Sequence, residues 1–152
     1  MLLTQKCYND MADTLYKLRY TEAPKYAEHI DECRSNGSID DNPEYYQAIE
    51  DMNRLNKKID EIAAVLTSAI IFTDNMKKED TVTFGSTVTF VNAETDKEIT
   101  YTILSEYDSD ASNGIISVNA PFTKEMLGLH CGDYFSFNEN EYVITNICYS
   151  SL

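Results

Sequence analysis

Gly37-Ser38-Ile39-Asp40-Asp41-Asn42-Pro43-Glu44-Tyr45 is the stretch on which the reading of this chain turns, because of what flanks it. Upstream, Met11, Leu15 and Leu18 fall at steps of four and three, and Tyr26, Ile30 and Cys33 repeat the stripe. Downstream, Tyr45, Ile49, Met52, Leu55, Ile59, Ile62 and Leu66 follow the same spacing with one slip. Such steps line side chains along one face of a helix. Two apolar stripes joined by a short polar turn predict an antiparallel helical hairpin. Gly37 can take a positive φ and end the first helix. Asn42 or Asp41 can cap the second, with Pro43 at its first position and Glu44 favoured by the positive end of its dipole. Three carboxylates, Asp40, Asp41 and Glu44, then stand at the end of a rod. At ~1.5 Å per residue, a helix of roughly thirty residues reaches ~45 Å.

Outward from the hairpin the pattern changes. The spacing is helical up to Ile71; after the charged linker Asn75–Asp80 it alternates. Val82 and Phe84, then Val88 and Phe90, read as strands interrupted at Gly85, and Ile99, Tyr101 and Ile103 alternate with threonines. Further strands are predicted over Ile115–Val118, Tyr134–Phe137 and Tyr142–Cys148. Between them Thr123 to Gly128 reads as a short helix with Thr123 as cap and Gly128 as stop. Pro24 should kink the first long helix or start a new one with Thr21 as cap, since it removes a hydrogen bond. The expected fold is α+β: an antiparallel coiled-coil hairpin over residues 1–75 and an antiparallel sheet with one short helix over residues 76–152.

Charge narrows the function. The formal net charge is -14, with eight Lys/Arg against fourteen Asp/Glu in residues 1–75 and four against twelve in residues 76–152. Neither half is basic, so autonomous binding to bare nucleic acid is not expected, because phosphate contact needs a Lys/Arg surface. Nucleic acid would be met only when held by another protein. The four cysteines, Cys7, Cys33, Cys131 and Cys148, show no CxxC spacing, and His29 and His130 stand apart, so no zinc site is expected. Reduced thiols, the lack of a signal-peptide core in Met1–Lys6 and the lack of a membrane-length apolar run point to a cytoplasmic protein without a membrane partner.

Several stretches, in order, carry a resemblance. Leu3-Thr4 followed by Met11, Leu15, Leu18 and Pro24 resembles the opening helix of the Gre family of bacterial transcript cleavage factors. Arg34 to Tyr45 is similar to that family's tip motif, approximately R-x-x-G-D-L-x-E-N-A-E-Y. Phe84-Gly85-Ser86-Thr87-Val88 looks like its F-G-[AS]-x-V strand. Ile116-Ser117-Val118-Asn119-Ala120-Pro121, then Met126-Leu127-Gly128 and Gly132-Asp133, looks like its I-S-x-x-S-P…L-[LI]-G…G-D segment. The resemblance implies a coiled coil joined to an FKBP-like domain. It further implies a monomeric transcription elongation regulator that enters the secondary channel of RNA polymerase and meets the nascent RNA 3′ end there. Tip carboxylates would help hold the polymerase's second Mg²⁺ and promote cleavage of backtracked RNA. By the same resemblance the factor has no cofactor of its own and is not itself an enzyme; Asp41 and Asp40 would share the polymerase's metal, with Glu44 the third acid of the motif. Arg34 would face RNA, and Asn119 and Pro121 would dock the second domain on the polymerase rim.

One position departs. The family's two tip acids map to Ser38 and Asp41, and a hydroxyl is a poor substitute for an anionic ligand on a hard cation. Either Asp40 takes over, or the protein occupies the channel as an inhibitor without cleavage. Two readings from other classes remain: an FKBP-like prolyl isomerase or chaperone module with Tyr101, Tyr134, Phe135 and Phe137 lining a pocket, and a coiled-coil adaptor without a polymerase partner.

Overall fold

The structure is a computed structural model that describes residues 1–37 and 39–150, with Ile39 described by its backbone alone. Chain contacts divide it into two compact units, Tyr8–Ala69 (with Met1) and Leu2–Cys7 together with the chain from Ile70 onward. Among the described residues no helix is long and apolar enough to cross a membrane.

Strand β1 (Leu2–Leu3) is followed by helix α1 (Gln5–Lys17). Thr4 caps α1 through its Oγ1, which accepts the Cys7 N–H at 3.0 Å. The helical path then continues through a π turn (Leu18–Glu22) into α2 (Ala23–Ser35), with Pro24 in the first turn. Thr21 caps nothing. Glu22 at the junction is helical, and the Ala23 N–H reaches back five residues to the Leu18 carbonyl. Widening the ladder by one residue accommodates a proline that has no N–H to offer.

A 3₁₀ turn (Ile39–Asp41) leads to α3 (Pro43–Ser68), which packs along α2. Ile30, Cys33 and Ala48 form the buried seam next to the turn, with Tyr45, Ile49 and Met52 packed around it. Farther down α3, Leu55 and Ile59 are each 8% exposed. Of the predicted seam residues, Ile49, Met52, Ile62 and Leu66 are half-buried rather than buried, as expected for a two-helix unit with no third layer. Ile59→Ala is therefore expected to cost ~2–5 kcal/mol, loosening the hairpin before the sheet. Helical melting followed by circular dichroism checks this; an unchanged transition would mean that Ile59 contributes nothing to the pairing.

Helix α3 stops at Ser68, three residues short of the helical reading, and β2 (Ile70–Ile71) pairs in parallel with β1, Leu2 with Ile70 and Leu3 with Ile71. The Phe72 N–H donates to the Leu3 carbonyl at 2.8 Å. The apolar run Ile70–Phe72 satisfies its backbone against the chain start, a partner that no local pattern reveals.

The remaining strands are β3 (Thr87–Asn92), β4 (Glu98–Leu104), β5 (Ile115–Ser117), β6 (Tyr134–Phe137) and β7 (Asn140–Cys148), in sheet order β5-β4-β3-β7-β6. Helix α4 (Pro121–Met126) lies between β5 and β6 in sequence. Pairing is antiparallel except for β4 with β5, which is parallel, so the sheet is mixed rather than purely antiparallel. Alternation decides the two faces. Val88, Phe90 and Ile103 join Val82, Met126, Phe135 and Ile144 in the core. On the other face Thr87 pairs with Thr102 and Thr89 with Thr100, hydroxyls 2.9 and 3.0 Å apart.

Two local expectations need correction. Val82 and Phe84 are buried but belong to no strand, because Gly85 turns the chain at φ +88°, and a Cβ there would lie 2.6 Å from the Phe72 ring. Burial at alternate positions mimicked a strand. Thr123 is not a cap: α4 starts after Ala120, with Pro121 in its first turn, and Thr123 is fully buried inside it. Gly128 does follow the helix at φ +82°.

Candidate functional site

The turn between α2 and α3 is built by hydrogen bonds to one carbonyl. Cys33, in the last turn of α2, offers its oxygen to the Asn36 N–H at 3.3 Å and to the Asn42 Nδ2 at 2.7 Å. Asn42 Oδ1 accepts the Tyr45 N–H at 3.1 Å, so Asn42 rather than Asp41 is the cap of α3. Glu44 stands in the first turn, where the dipole favours an acid.

Asp40, Asp41 and Glu44 are all exposed. Among the described residues none of the three forms an ion pair or a side-chain hydrogen bond, in contrast to Asp31, which lies 3.8 Å from Arg34, and Asp51, 3.1 Å from Arg54. Ser38, the position where the tip motif carries an acid, lies outside the described residues. Arg34 places its guanidinium carbon 5.8 Å from the centre of the Tyr45 ring, a cation–π distance.

Among the described residues no group of three or more His, Cys, Asp or Glu side chains converges on a point where a metal ion could be held. All four cysteines are free thiols, Cys7 and Cys33 buried, Cys131 and Cys148 exposed.

In the sheet unit, Asn119 and Pro121 are exposed on the connection from β5 to α4, where the Asn119 N–H donates to Ser117 Oγ at 3.1 Å. The four aromatic residues expected to line an isomerase pocket do not converge. Tyr134 is 64% exposed while its neighbour Phe135 is buried on the opposite face. Phe122, from α4, has its ring centre 6.1, 5.5 and 5.1 Å from those of Tyr101, Phe135 and Phe137. Its ring packs among those three.

Three contributors are not legible in the sequence. Ala48, only 2% exposed, lets the helices approach at the seam; a lone alanine gives little signal. Phe122 follows a proline in a short helix, where periodicity has no length to act. The cap role of Asn42 is readable from Asn-Pro, but its bond to Cys33 is not, since that carbonyl lies nine residues away.

Two family models match the chain, one for each part. Residues 1–71 match the family model for the N-terminal part of the transcription elongation factors, and residues 77–149 match the model described as transcription elongation factor, GreA/GreB, C-terminal. The chain is 37% identical to the transcription elongation factor GreA of Aliarcobacter butzleri strain RM4018, over 86% of this chain and 81% of that protein. It is 32% identical to that of Helicobacter hepaticus, over 99% of this chain and 94% of that one. The crystal structure of GreA factor homolog 1 (Gfh1) of Thermus thermophilus superposes with a TM-score of 0.46 at 19% identity, covering 97% of this chain and 98% of that one. A helical hairpin and a mostly antiparallel sheet unit, each matched by its own model, together with relatives alike across nearly the whole length, place this chain in the GreA/GreB family of transcription elongation factors.

Proposed function

We propose that the protein enters the secondary channel of a bacterial RNA polymerase with the α2–α3 tip leading, acting as a factor on that active site rather than as an enzyme. The observation that carries this reading is the tip itself: three exposed carboxylates without partners among the described residues, held on a turn that Asn42 ties to both helices. Unpaired acids at the end of a helical rod are suited to supply oxygen ligands to a cation held elsewhere. The ion would be the polymerase's own Mg²⁺, which stabilises attacking and leaving oxygens in hydrolysis of the nascent RNA. Asp41 and Asp40 are the assigned ligands, Glu44 supports the negative field, Arg34 faces the RNA, and Asn119 with Pro121 docks on the polymerase rim.

Ser38 sets the sign of the effect. With a hydroxyl where the family carries an acid, the protein occupies the channel but stimulates cleavage weakly, and its main effect is to slow RNA synthesis. RNA cleavage and elongation in a stalled, backtracked complex, with and without the protein, test this. Strong cleavage by the native protein would overturn the inhibitory part; failure to bind core polymerase or to displace another channel-binding factor would overturn the whole.

A further inference from the structure

Asn42 does more than begin a helix. A cap needs only an acceptor, and Oδ1 fills that role toward the Tyr45 N–H. The amide nitrogen makes a second bond, 2.7 Å to the Cys33 carbonyl nine residues back. That oxygen lies in the last turn of α2, where it also accepts the N–H of the cap residue Asn36 at 3.3 Å. One planar group therefore joins the end of α2 to the start of α3. Neither serine nor aspartate, the other good caps, can do both jobs: serine is too short, and an ionised aspartate has no donor. The anchor is firm, because Cys33 is 3% exposed and packs with Ile30 and Ala48 in the seam.

We infer that Asn42 is a positioning residue of the tip, whose amide clamp fixes the direction in which the adjoining Asp41 and Asp40 present their carboxylates; this rests on the channel function proposed above. Misplacing a reacting group by about 1 Å can cost ~10²-fold in rate, so loss of the clamp should lower the maximal effect while leaving the rod and its docking intact.

The test compares the full-length native chain with Asn42→Ser and Asn42→Asp, both of which retain a cap acceptor. Four quantities are read: helical melting, the half-saturating concentration on core polymerase, the saturating effect on cleavage or elongation in a backtracked complex, and backbone ¹⁵N relaxation at Asp40 and Asp41 in the free protein. Both variants are expected to melt like the native chain and to half-saturate within about twofold of it. Their saturating effect should fall about tenfold, and the Asp40 and Asp41 amides should gain nanosecond mobility. A native saturating effect in Asn42→Asp, or unchanged relaxation, would overturn the clamp. A parallel loss of melting and binding in both variants would also overturn it, making the bond to Cys33 a general tie of the hairpin rather than a device that aims the acids. Should the native chain not bind polymerase, the channel reading falls, and relaxation alone decides the clamp: unchanged mobility refutes it and raised mobility upholds it.

Discussion

Asp41→Ala is expected to reduce whatever RNA cleavage the protein supports by roughly 10–100-fold, the range found when groups supporting a metal site are removed. Asp41 is exposed and makes no ion pair or side-chain hydrogen bond among the described residues, so the change should leave stability within about 0.5 kcal/mol. The loss would then be chemical rather than structural. Ser38→Asp is expected to act in the opposite direction, raising cleavage by restoring an anionic ligand for a hard cation. Both are measured as cleavage rates in a backtracked complex at saturating factor. Strong native cleavage that survives Asp41→Ala but disappears in Asp40→Ala would make Asp40 the metal-facing acid and refute that role for Asp41. A Ser38→Asp variant no more active than the native chain would show that the tip presents its acids in another direction.

Phe90→Ala should produce the largest loss of stability. Phe90 is fully buried, with ring centres of Tyr101, Phe122, Phe135 and Tyr142 at 5.7, 5.4, 5.6 and 5.5 Å. Removing a buried phenylalanine costs ~3–5 kcal/mol, against a typical domain stability of ~5–15 kcal/mol. Urea denaturation followed by near-ultraviolet circular dichroism, which in this chain reports tyrosine and phenylalanine because tryptophan is absent, should show a much earlier transition. The helical signal of the hairpin should change less. A destabilisation below about 1 kcal/mol would mean that the ring cluster collapses to fill the cavity, placing the core's stability elsewhere.

Much of the fold was legible in the chain because periodicity is local. Steps of three and four from Tyr45 to Leu66 announced α3, and the alternation of Ile99, Tyr101 and Ile103 announced β4. The acids at the tip followed from composition alone, since a short polar turn between two helical stripes has nowhere to bury them. The stretches that misled were those whose partners are distant. Ile70 and Ile71 continue an apolar helical stripe, yet their backbone pairs with Leu2 and Leu3 at the other end of the hairpin sequence. Val82 and Phe84 are buried like strand residues while the chain turns at Gly85 against the Phe72 ring. The parallel register of β4 with β5 depends on how the intervening loop returns, with Gly114 left-handed at φ +70°. The sequence by itself determined the helices, most of the strands and the acidity of the tip, because side-chain spacing and charge are properties of the local chain. Only the tertiary structure decided which carbonyl Asn42 would hold, which rings would close around Phe90 and which strand the chain start would join. Each of those depends on groups far apart in sequence whose backbone and apolar surface must be satisfied together.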